Sequence, residues 1–291
     1  MTNAKRVSFL ALMVIGALLC GLSISRHSGR HLMGAQQRQL VGEFCSRASE
    51  NVNRTRPVHV AIFDAQLPGL RDRTAGVAAG LNAENCTWES IGPIEIAEGA
   101  LGRFDVVVFA GGNARHQAAL LREDGRRAVL SFVSEGRGYV GICAGAHLAS
   151  CQYEWGLGLI DAALAPAEIH AKMYGPQPSV GAGAADMQLT DGGRRVFLRV
   201  LDDVMTIECA GGPIFMHGAC RDDPRFLPLA TFLTATYDCQ VNNHNMVGAP
   251  AIVAARYGKG YVIVFSPHPE SLDQTKSLLV DAIYATARVA P

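Results

Sequence analysis

Tyr139 to Ser150 reads YVGICAGAHLAS, and the turn inside it decides what kind of protein this is. Strand-forming residues lead in, small helix-forming residues lead out, and Cys143 stands at the junction in Gly141-Ile142-Cys143-Ala144-Gly145. The two glycines remove the side chains that would collide where a strand folds sharply into a helix, so Cys143 is held beyond the carboxyl edge of a sheet. The helix beginning there has unpaired N–H groups and a positive end, which favour a thiolate at Cys143 and an oxyanion beside it. The stretch therefore predicts a nucleophile elbow.

Strand and helix signals alternate on both sides of the elbow, which predicts an α/β domain with a mostly parallel sheet and helices on both faces. PVHVAIFDA (Pro57 to Ala65) reads as a compact strand, TAGVAAGLNAEN as a small-residue helix and CTWESIG as a second strand. FDVVVFAGG (Phe104 to Gly112) is a continuous apolar run ending in a glycine pair, as expected of a buried parallel strand entering a functional loop. A helix is expected from about Ala114 to Glu135, interrupted around Gly125. AIVAARYGKGYVIVFS reads as a hairpin turned by Gly258-Lys259-Gly260.

A cysteine nucleophile needs a base. SPHPE places His268 and Glu270 two residues apart at the end of a strong strand, where alternation aims both to one side. His268 can then accept the thiol proton while Glu270 orients the imidazole. Oxyanion donors are expected from the backbone of Ala144 and of Gly111 or Gly112, with Gly112 preferred.

Composition limits the alternatives. The chain has 291 residues, 49% apolar and 18% charged, with 26 basic and 26 acidic side chains and a formal net charge of zero. That balance carries no footprint for nucleic acid. No CxxC or Cys/His metal spacing occurs, so neither a metal nor an organic cofactor is implied.

The N-terminus differs from the rest. Lys5 and Arg6 precede the uncharged run VSFLALMVIGALLCGLSI, and Arg26 and Arg30 follow it. This is the pattern of a secretory signal or signal anchor over residues 1–26, which would make membrane contact through that segment and place the domain outside the cytoplasm. Residues 27–56 are polar and read as a linker, leaving 57–291 as the domain. Of the 8 cysteines, Cys20 lies in the apolar run and Cys143 in the elbow. The other six, Cys45, Cys86, Cys151, Cys209, Cys220 and Cys239, allow up to three disulfides in an oxidising compartment. Cys151 also falls two helical turns beyond Cys143 if the helix runs on, and there it reads as a packing residue.

Cys143 in GICAG, with His268 and Glu270 in PHPE, resembles the Cys-His-Glu triad of the class I glutamine amidotransferase-like proteins. VVFAGGNA, YVGICAGAHLAS, AGGPIF and PAIVAARYGKGYVIVFSPHPE resemble segments of one branch, the N-terminal domain of biotin-protein ligases and its stand-alone relatives. The resemblance implies a flavodoxin-like three-layer sandwich and thiol chemistry on a small-molecule or peptide amide or acyl substrate. Two departures limit it. His147 stands four residues after the nucleophile, where the amidotransferases carry a substrate-binding glutamine, so His147 is read as a substrate ligand or a further titrating group. The glycine/arginine-rich adenylate loop of the ligases is missing, so the chain is not a biotin ligase by itself. A catalytically silent binding module of the same fold is the rival reading, and a peptidase, which requires an open groove around Cys143, is a third.

Overall fold

A computed structural model describes residues 34–53, 55–65, 71–82, 84–164, 180–200, 202–217, 226–237 and 246–288. The apolar N-terminal run, most of the stretch joining it to the first helix, Cys220 and Cys239 lie outside them. In chain order the elements begin with α1 (Ala35–Val52), β1 (Val58–Phe63), α2 (Arg71–Leu81), β2 (Cys86–Ile91), α3 (Pro93–Ala97), β3 (Val106–Phe109) and α4 (Ala114–Ser134). They continue with β4 (Gly138–Ile142), α5 (Ala144–Ala149), β5 (Ala162–Leu164), β6 (Ala182–Leu189), α6 (Asp191–Val196) and β7 (Val204–Ala210). The last are β8 (Phe215–His217), β9 (Leu227–Phe232), β10 (Pro250–Tyr257), β11 (Gly260–Phe265) and α7 (Lys276–Thr286).

The central strands are apolar at nearly every position because both of their faces are covered. Every residue of β3, β4 and β11 is buried. The large sheet runs in the order β2-β1-β3-β4-β11-β10-β9-β6-β7. Its first five strands are parallel, and that 2-1-3-4-5 order is the doubly wound, flavodoxin-like arrangement. The remaining strands extend it antiparallel from β11. Helices α3, α4 and α5 pack on one face over Ala61, Phe63, Val107, Phe109, Tyr139 and Val264. Helices α1, α2, α6 and α7 cover the other. The expected α/β sandwich is thus the observed fold, and the Tyr257 to Gly260 hairpin forms where its glycines predict, with Gly258 at φ 59°.

Three expectations need correction. Residues 35–52 are not linker but helix. Val41, Phe44 and Ala48 form a narrow apolar stripe, and the helix packs along α7. Arg47 clamps it down by donating to the carbonyls of Gly136 at 2.9 Å and Ala287 at 2.8 Å, while Asn51 donates to Tyr284 O at 3.0 Å. Among the described residues no helix is long and apolar enough to cross a membrane.

The cysteines also differ from expectation. Cys45, Cys86 and Cys209 are thiols, held in separate surroundings: Cys45 donates to Arg195 O at 3.1 Å, Cys86 lies beside Tyr284, and Cys209 is sealed inside β7. Three disulfides from the six are therefore excluded. Cys151, expected as a packing residue on a longer helix, lies beyond the end of α5 and is disulfide-bonded. Finally, the break in α4 falls at Arg122 (φ 53°, ψ −171°) rather than at Gly125. Gly125 stays within the helix, where a Cβ would stand 3.2 Å from Leu121 Cδ2.

One buried acid makes stability pH-dependent. Asp281 accepts the Arg199 backbone N–H at 2.8 Å and faces Arg199 Nε at 3.4 Å, with only 2% of its side chain exposed. Burial pushes its carboxyl up from 3.8 to about 6, against the pull of the Arg199 hydrogen bond and charge. A carboxyl raised on folding favours the native state while protonated, so its contribution is full below pH 3.8 and is lost as pH rises through about 6. Asp281→Asn is expected to flatten the parent's urea midpoint profile across that window, by on the order of 1–3 kcal/mol in unfolding free energy. A difference profile with no slope there would show that Asp281 is not the titrating group.

Candidate active site at the ends of β4 and β11

The elbow is built as its glycines require. Cys143 adopts φ 51°, ψ −99°, one of two positive-φ non-glycine residues described. A side chain pays strain of about 1–3 kcal/mol in such a conformation, and it is kept where the surroundings over-determine it. Here Cys143 N–H donates to Phe265 O at 2.8 Å, joining the end of β4 to the end of β11. A Cβ on Gly141 would lie 2.6 Å from Gly145 O, and one on Gly145 would lie 2.1 Å from Phe109 O. Neither position tolerates anything larger than glycine. Tyr139, stacked on Phe109 at 5.4 Å, donates its hydroxyl to Gly145 O at 2.8 Å and ties the strand to the first turn of α5.

His268 follows β11 and is held by its own backbone N–H, which donates to Glu208 O of β7 at 2.8 Å. Its Nδ1 lies 2.7 Å from Glu270 Oε1, and the imidazole also hydrogen-bonds the Cys143 side chain. With Nδ1–H given to the carboxylate, Nε2 is the atom left for sulfur. The three groups are closed from water: Cys143 is 4%, Glu270 5% and His268 0% exposed. Burial pulls the imidazole pKa down, but hydrogen bonds to Cys143 and Glu270 and the negative charge of both outweigh it, raising His268 to about 9. A base thus contacts the cysteine sulfur on one side and a carboxylate that orients it on the other. Glu270 fits against α2 at Gly76, where a Cβ would approach its Cγ to 3.1 Å, and its Oε2 has no hydrogen-bond partner among the described residues.

The other predicted residues cluster around the couple. Ala144 is the first residue of α5, and its N–H and that of Gly145 start the helix without an acceptor among the described residues. Gly112 lies just past β3 with φ 143°, a left-handed conformation that suits glycine. The approach to it is fixed by a residue with no signal in the sequence: Gln117, 3% exposed, donates Nε2–H to Ala110 O at 2.9 Å, and its Oε1 meets no partner among the described residues. His147 is partly buried on α5, desolvation lowers its pKa, and its Nε2 stands 3.4 Å from Gly211 O. Gly211 belongs to the AGGPIF segment, read from sequence as a pocket wall, and Ala210 O of that segment is 3.4 Å from Cys143 Sγ. Among the described residues no group of three His, Cys, Asp or Glu side chains could hold a metal ion.

A buried cysteine on a strand-to-helix elbow, with a His-Glu pair just past the end of the neighbouring parallel strand, defines a cysteine-centred α/β domain of the doubly wound class. The sequence model described as "Biotin-protein ligase, N terminal" matches residues 101–282, more than half of the chain. The chain belongs to that family. No curated protein sequence matches it. Among solved structures, the cytoplasmic protein STM1381 of Salmonella typhimurium LT2 is similar with a TM-score of 0.52 at 12% identity, over 79% of this chain and 99% of that one. The cytoplasmic protein STM3548 of Salmonella typhimurium is similar with a TM-score of 0.50 at 12% identity, over the same shares. A glutamine amidotransferase of Methylobacillus flagellatus has a TM-score of 0.42 at 10% identity, over 82% of this chain and 98% of that one. At such identities the likeness to the two Salmonella proteins is one of fold.

Proposed function

We propose that this protein is a thiol-dependent hydrolase or amidotransferase acting on a small-molecule or peptide amide or acyl compound. The observation that carries the proposal is the buried Cys143–His268–Glu270 chain at a strained elbow. The thiolate of Cys143 forms a C–S bond to the substrate carbonyl, and the oxyanion is received by the N–H groups of Ala144 and Gly112. The bond to the leaving amine or alcohol then breaks as His268 supplies its proton. Water, deprotonated by His268, cleaves the thioester and releases the acid with Cys143 restored; another amine in place of water gives transfer. Glu270 keeps the imidazole turned toward sulfur throughout.

Cys143 at 4% exposure argues against an open-groove peptidase. The disulfide at Cys151, with the basic pair and apolar run at residues 5–24, supports an exported or membrane-anchored setting for the domain.

The test is trapping of the acyl-enzyme. The full chain is incubated with a panel of activated esters, thioesters and primary amides, and intact mass is read for an adduct located at Cys143. A substrate-dependent adduct that disappears in Cys143→Ala supports the reading. If no member of the panel acylates Cys143 and its alkylation does not depend on His268, the silent binding module replaces it.

A further inference from the structure

Cys143 Sγ lies between two groups with opposite demands on its proton. Ala210 O, at 3.4 Å, accepts from an S–H and repels a thiolate; the imidazole of His268 takes the proton and attracts the thiolate. The peptide next to Ala210 is held by α5 itself, because His147 Nε2–H donates to Gly211 O at 3.4 Å. That segment is pinned on its other side. Gly211 N–H donates to Gly181 O at 2.7 Å, Val180 N–H donates to Gly212 O at 3.0 Å, and Gly212 packs so closely that a Cβ would meet Ser266 O at 1.9 Å. Gly211, between them, has φ 81° and open space where a side chain would go. Cys143 is 4% and His268 0% exposed, so among the described residues this segment stands between solvent and Sγ.

We propose that Ala210–Gly212 is a cover over the nucleophile, that it must swing aside for substrate to enter, and that His147 is its latch. The proposal rests on Cys143 being the nucleophile. It assigns His147 to positioning rather than to chemistry. The latch contact is at the long end of hydrogen-bond distances, and such a contact is made and broken at small cost. Opening would remove the acceptor that favours the thiol and leave sulfur to His268, so access and activation would come together.

The test uses the full chain and follows alkylation of Cys143 by iodoacetamide and by the bulkier N-ethylmaleimide, resolved by peptide mass. His147→Ala is expected to react about 3–10-fold faster, the worth of one ordinary hydrogen bond, with the larger gain for N-ethylmaleimide. His147→Gln, which keeps a donor, should return toward the parent rate. Gly211→Ala supplies a second handle: its methyl meets nothing, but it penalises the left-handed backbone of the closed segment, so it too should accelerate the reaction. If His147→Ala and Gly211→Ala leave the rate unchanged or slow it while His268→Ala slows it, the cover is refuted and the nucleophile stands. If His268→Ala has no effect either, both readings fall.

Discussion

Alkylation of Cys143 by iodoacetamide at neutral pH is expected to be about 10–100-fold slower in His268→Ala than in the parent. The thiolate is the reacting species, and a cysteine without a cationic neighbour is mostly thiol at neutral pH. In the parent, sulfur is hydrogen-bonded to an imidazole that keeps its proton up to about pH 9. The advantage of the parent over His268→Ala should therefore hold across the neutral range, where the imidazole keeps its proton, and shrink as pH approaches about 9. Glu270→Gln should lie between, because the amide can still accept from Nδ1 but brings no charge; a loss of about 3–10-fold is expected. Cys45 gives an internal reference. It is a thiol on α1, its acidity is weakened chiefly by burial, and its environment contains neither residue. Equal Cys143 rates in parent and variant, with Cys45 unchanged, would mean that the His-Cys contact does not activate sulfur.

The second large effect is on stability. Gly145→Ala is expected to lower the unfolding free energy by about 3–5 kcal/mol, the range seen when a buried site is overfilled. The added methyl would stand 2.1 Å from Phe109 O and 2.8 Å from Phe109 Cβ. Phe109 cannot retreat, since its ring is stacked between Phe63 at 4.7 Å and Tyr139 at 5.4 Å. Relief by moving α5 would break the Tyr139 hydroxyl bond to Gly145 O. Gly102→Ala is the matched control, because a methyl there meets nothing within 4 Å, and it should change stability by less than about 0.5 kcal/mol. Urea midpoints of the two variants that coincide would show that α5 is free to shift and that the elbow is not tightly packed.

What could be read from the chain was local. The elbow is legible because its two glycines and cysteine lie within five residues, and their spacing has one steric cause. The hairpin before His268 is legible for the same reason, and it delivers the His-Glu pair to its place. The carboxylate contact itself is less direct. His268 and Glu270 meet in the turn after β11 rather than along a continued strand, with Thr275 holding Pro269 O at 2.9 Å. The first helix was missed because its buried stripe is only Val41, Phe44 and Ala48, and because Arg47 and Asn51 bond carbonyls at residues 136, 284 and 287. No window of sequence contains those partners. The same holds for Glu208, whose carbonyl receives the His268 N–H although β7 is at the far edge of the sheet, and for the carbonyls of Ala210 and Gly211. Glycines in AGGPIF marked that loop as a candidate wall, but which atoms it turns toward sulfur depends on strands that pair across long separations.

The Arg47 clamp also ties the first helix to the amino edge of the sheet. A load on α1 would pass through Arg47 to Gly136, just before β4, and to Ala287, just after α7. Cys143 lies at the opposite end of β4, five residues of extended chain away, or about 16 Å. Tension would be taken up by two helices lying side by side and by the amino edge of the sheet. The elbow, on the carboxyl edge, would be shielded from such a load.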